Sequence, residues 1–100
     1  MSLDGDLALR RRILERAFAR AQALDDPFFV AGRWPATLGE LASALGCTRA
    51  TAAEIGLCRA PAPAEDIPAW ALALAARFGL DQERLEALGR RLTKSVSVGR

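Results

Sequence analysis

Residues 37–57 read TLGELASALGCTRATAAEIGL, and this stretch decides the fold. It reads as two short helices on either side of a glycine turn. Thr37 is an N-cap residue with Glu40 three places on, so each side chain can satisfy the other's orphan backbone N–H. Leu38, Leu41, Ala42 and Leu45 follow at helical spacing, and Gly46 supplies the left-handed residue that ends the helix. Thr48 caps a second helix whose inward residues are expected to be Ala52 and Ile55. Ala42 is small where two steeply crossing helices need room, and a β-carbon in the glycine turn would strain it. The pattern is that of a helix-turn-helix.

Downstream, Cys58-Arg59-Ala60-Pro61-Ala62-Pro63-Ala64 is a proline-punctuated loop. A helix is expected from about Asp66 to Phe78, with Pro68 in its first turn, where no intrahelical N–H is lost. Ile67, Trp70, Ala71, Leu74 and Phe78 make one face, and alanines and Leu72 continue round the rest. A helix apolar on nearly all sides belongs in the middle of a domain. Gly79 ends it, and Asp81 caps a last helix with the stripe Leu85, Leu88 and Leu92. Residues 93–100 have no periodicity and read as a flexible tail.

Upstream, Met1 to Asp6 reads as a frayed start. A helix is expected over about Leu7 to Leu24, with Leu7, Leu14, Ala17, Phe18, Ala21 and Leu24 as its apolar stripe. Arg12, Arg16 and Arg20 recur every fourth residue on another face. Like charges at that spacing repel by a few tenths of a kcal/mol per pair. Either a phosphate or carboxylate partner relieves them, or the face is solvated and softened by Glu15 and neighbouring acids. Asp25, Asp26 and Pro27 stop the helix. The connection that follows, FFVAGRWP over 28–35, is rich in large apolar groups. Burying one such side chain is worth about 1.5–3 kcal/mol, so the segment is expected to fold onto the core. Alternatively Phe28, Phe29 and Trp34 face another chain.

One hundred residues make one domain with a single modest core. The chain is 51% hydrophobic but only 6% aromatic, and it is rich in alanine. That mix suits closely packed helices and is poor material for a sheet. The expected architecture is all-α: five helices near 7–24, 37–45, 48–57, 66–78 and 81–92 in one domain over 1–92, with no sheet. Fourteen basic residues against twelve acidic give a net charge of only +2, so whole-chain charge does not announce a nucleic-acid partner. Lys94 is the only lysine among the basic residues. Arginine favours bidentate contacts to phosphate or carboxylate, although a GC-rich coding sequence also explains the bias. No apolar run approaches a membrane span and no signal-peptide layout is present, so a cytoplasmic protein with no membrane partner is expected.

Thr37 to Leu92 resembles the lambda-repressor/Cro-like (XRE-type) helix-turn-helix DNA-binding domains. The resemblance is carried by TLGELASALGCTRATAAEI and by RAPAPAEDIPAWALALAARFGLDQERLEAL, where a loop and two further helices follow the motif. The core-forming positions Leu41, Ala42, Leu45, Gly46 and Ile55 match it. The link between the first and second helices is long for the family. The resemblance implies a small transcriptional regulator that binds duplex DNA as a symmetric dimer, with helix 48–57 in the major groove. Arg49 would then read guanine, Thr48 or Thr51 would bond phosphate, and Arg59 with Arg12 or Arg16 would hold phosphates. The outward set of that helix is expected to be Thr48, Arg49, Ala50, Ala53, Glu54 and Leu57. It holds few polar groups for direct readout, which leaves open a second reading: a fold kept as a protein–protein interaction module, with no DNA readout.

Catalysis finds no constellation. The chain has no histidine and no tyrosine, nor any glycine-rich phosphate loop. Asp25-Asp26 and Glu65-Asp66 sit at helix boundaries, where capping explains them. Cys58 has Arg59 beside it but no candidate base. Cys47 and Cys58 are expected to be buried structural thiols, and neither a metal nor a cofactor is expected.

Overall fold

Thr37 opens the central pair of helices in the expected way. In the computed structural model, which describes residues 3–62 and 65–97 and the side chains of 8–62 and 65–93, its hydroxyl accepts from Glu40 N at 3.1 Å. The Glu40 carboxylate accepts from Thr37 N, closing the capping box. The described residues form six helices: α1 (Leu3–Ala23), α2 (Val30–Arg33), α3 (Leu38–Leu45), α4 (Arg49–Gly56), α5 (Ile67–Phe78) and α6 (Gln82–Ser97). The fold is therefore all-helical, as expected, but with six helices where five were predicted. Gly46 ends α3 at φ +66, and Thr48 caps α4 by accepting from Thr51 N. Arg84 of α6 donates to Ser43 O and Ala44 O at 3.4 Å each, covering the negative end of the α3 dipole.

The additional helix arises in the apolar connection. Asp25 takes a left-handed backbone at φ +52, and Asp26 Oδ1 accepts from Phe28 N at 3.0 Å, which turns the chain back after α1. Gly32 then packs on the Asp26 backbone so closely that a β-carbon would lie 1.9 Å from its carbonyl oxygen. Val30, Ala31 and Trp34 enter the core, while Phe28 stays on the surface, edge-on to Phe29. Of the two readings of this segment, the core therefore holds for Trp34 and not for Phe28. Trp34 Nε1 donates to Thr37 O at 2.9 Å, tying the segment to the start of α3. Val30 N donates to Cys58 O and Ala60 N to Phe28 O, an isolated antiparallel bridge that pins the loop after α4 to this connection. Among the described residues there is no strand beyond that bridge.

The centre of the domain is α4. It packs against α1, α2 and α3 and buries Ala52, Ala53, Ile55 and Gly56. A β-carbon at Gly56 would lie 2.3 Å from the Phe18 ring, so the glycine lets α1 sit directly on α4. Two expectations fail for this reason. Ala53, placed on the outward face, is fully buried. Conversely α5, placed in the middle, is covered mainly by α6 and buries Trp70, Ala71 and Leu74 while leaving Leu72 exposed.

The predicted core of Leu41, Ala42, Leu45, Ile55, Trp70, Leu74, Leu85 and Leu88 is buried together, with Phe18 closing over it. Phe78 and Leu14 are half-buried against it. Leu24, placed in the α1 stripe, is 69% exposed because α1 has ended before it. Helix α1 begins at Leu3 instead of near Leu7, and α6 continues to Ser97, past the expected end at Leu92. The Leu7 side chain, Pro63 and Ala64 of the loop, and residues 98–100 of the tail lie outside what is described. No helix among the described residues is long and apolar enough to cross a membrane.

Candidate nucleic-acid interface

The first turn of α4 carries three of the predicted site residues. Thr48 and Thr51 face each other: Thr51 N donates to Thr48 Oγ1 at 3.2 Å, and the two hydroxyls are bonded at 3.0 Å. Arg49, at the first helical position, is exposed and reaches away from α4 towards α1. Its Nε and Nη2 donate to Glu15 Oε1 at 3.3 and 2.9 Å. Its Nη1 lies over Gly39 in the first turn of α3, where a β-carbon would be 3.4 Å away. The Arg49 guanidinium thus occupies the place where the starts of α3 and α4 and the middle of α1 meet.

Helix α1 contributes Glu15 to this edge and carries exposed arginines on the turns around it. Arg12 and Arg16 lie within one turn of Glu15 and are exposed. Neither makes an ion pair with the described residues, whereas Arg11 lies 3.6 Å from Glu15 Oε2. The structure therefore gathers Thr48, Arg49 and Thr51 in one turn, with Arg12 and Arg16 on the adjoining helix. Arg59 stands apart at the far end of α4, a helix about 12 Å long. It grips Glu65 through two bonds of 2.5 and 2.7 Å. That pair, with Ala62 N donating as well, holds the Glu65 carboxyl down to about 2.

At the same far end lies a groove of about 770 Å³ between α1, α4 and α5. Leu14, Leu57, Leu74 and Phe78 give it apolar walls, and the Arg10–Glu54 ion pair crosses its rim at 3.0 Å. Glu54 and Leu57, expected to face outward from α4, are half-buried here. Cys58 also lines the groove, with its thiol on Glu54 O at 3.3 Å. Burial raises its pKa, Arg77 opposes the rise and Glu54 adds to it. Burial likewise raises Cys47, which is packed against the core. Neither thiol is the ready thiolate that nucleophilic chemistry requires. Among the described residues no three metal-ligating side chains gather.

Sequence reasoning took Glu15 only as a charge that softens its arginine neighbours and did not single out Gly39 or Arg10. Glu15 and Arg49 are 34 positions apart, so no local pattern joins them. No protein-family model, curated protein or solved structure matches this chain.

Proposed function

We propose that this chain binds duplex DNA through the N-terminal end of α4, as a small helix-turn-helix transcriptional regulator. One observation carries the reading: Arg49 presents an exposed guanidinium where the starts of α3 and α4 adjoin, and within one turn of its partner Glu15 stand the exposed Arg12 and Arg16, which make no ion pair with the described residues. A helix start supplies N–H groups that suit phosphate, and a guanidinium fork suits the O6/N7 edge of guanine. Arg12 and Arg16 extend the positive surface for backbone phosphates. Arg59 contributes only if the duplex reaches the far end of α4.

Titration against pooled genomic duplex fragments at about 50 mM salt, where phosphate contacts are strong, tests the reading. Binding is expected, and Arg49→Ala should relax preference at one base pair by about 1–3 kcal/mol. Arg12→Ala or Arg16→Ala should weaken all sequences alike and flatten the salt dependence. If no fragment binds, the reading is dropped.

The groove favours a second reading, in which an amphipathic helix of a partner protein lies against Leu57 and its apolar neighbours, with the arginines and glutamates of the rim meeting the partner's polar flank. It predicts the opposite ranking: Leu57→Asp abolishes function and Arg49→Ala scarcely matters.

A further inference from the structure

Resting on the DNA-binding reading, we infer that Glu15 of α1 is a positioning residue for Arg49, holding one edge of its guanidinium so that the other faces the base. A guanidinium offers five N–H bonds in a rigid plane. Glu15 Oε1 engages the edge formed by Nε and Nη2, at 3.3 and 2.9 Å. This leaves the end formed by Nη1 and the outer hydrogen of Nη2 as a fork for two acceptors in one plane, the arrangement guanine shows in the major groove. The Nη1 atom lies beside the first turn of α3, at an ordinary contact distance of 3.4 Å from where a β-carbon on Gly39 would be.

Glu15 is itself held in place. It is half-buried, and its second oxygen faces Arg11 Nε at 3.6 Å. An arginine on a free four-bond stem loses rotamer freedom on meeting a base, and one already clamped loses less. A carboxylate at a phosphate-facing edge otherwise only repels the ligand. The two roles give opposite results when the charge is removed.

The experiment compares the unaltered chain with Glu15→Gln, Glu15→Ala and Arg49→Ala. The probes are duplex fragments that vary at the base pair whose preference Arg49→Ala abolishes. Melting curves establish that each variant is folded. If Glu15 positions Arg49, Glu15→Ala lowers discrimination at that base pair severalfold, Glu15→Gln lowers it less, and affinity for unrelated fragments stays equal or rises. In the free protein, the Arg49 Nε–H NMR signal should move and exchange faster in Glu15→Ala. Uniformly tighter binding with discrimination intact, or an unmoved Nε–H signal, overturns the inference while leaving DNA binding in place. Failure of the unaltered chain to bind any fragment overturns the DNA reading and the inference with it.

Discussion

At its C-terminal end α4 is held by contact. Gly56 lies against the Phe18 ring, Ile55 is fully buried, and the bridge between Phe29 and Arg59 fastens the exit. At its N-terminal end it is held by hydrogen bonds at the surface: the Thr48 cap and the Arg49–Glu15 pair. Buried contact cannot be exchanged for water without leaving a void, whereas surface hydrogen bonds contribute little to stability and leave the groups they orient within reach of a ligand. The end held at the surface, where Arg49 has N–H groups beyond those spent on Glu15, is the end proposed to meet DNA.

The comparison breaks first at Phe18. Phe18→Ala should cost about 3–5 kcal/mol by denaturant titration, because it empties a buried site packed on Gly56. A loss under 1 kcal/mol would mean α1 is not seated on α4. Gly56→Ala should cost about 1–3 kcal/mol through overpacking, and less in a Phe18→Leu background, since the two positions share one contact. At the other end Thr48→Ala should cost about 1 kcal/mol, the ordinary loss of a cap. If it costs as much as Phe18→Ala, the contrast between the two ends is wrong.

The smallest effect sharpens the comparison, because the Arg59–Glu65 pair is a surface clamp at the otherwise contact-held end. Its carboxyl pKa is held at about 2, well below the ordinary carboxylate range, chiefly by the hydrogen bonds from Arg59 and then by Ala62 N–H. A depressed carboxyl stabilises the folded state above its unfolded value, and the contribution is lost as pH falls towards the folded one. Melting curves of the parent and Glu65→Gln should therefore differ most above about pH 5 and converge by about pH 2. A difference that persists unchanged at low pH would show that the charge on Glu65 contributes nothing.

Much of the fold was legible because it is governed by neighbours in sequence. Thr37 with Glu40, Thr48 with Thr51, Gly46 and Gly79 act within one helical turn. The stripe of Leu85, Leu88 and Leu92 is likewise a repeat that any reader of the chain can count. Helix α2 was not legible, because four residues carry no period. Its existence depends on Gly32 meeting the Asp26 backbone and on two hydrogen bonds to the loop after α4.

The candidate site divides along the same line. Thr48, Arg49 and Thr51 were found together because one helical turn joins them, and Arg12 and Arg16 because four residues separate them. The sequence by itself determined the helical class, the caps and turns of α3 and α4, and the apolar positions that fill the core, since each follows from contacts a few residues long. Only the tertiary structure decided that α4 and not α5 lies at the centre, that Ala53 is buried, that Arg59 belongs to Glu65 and that Glu15 holds Arg49. Those outcomes depend on which helix faces meet, and the meeting depends on close approaches such as Gly56 to Phe18, which join residues distant in the chain.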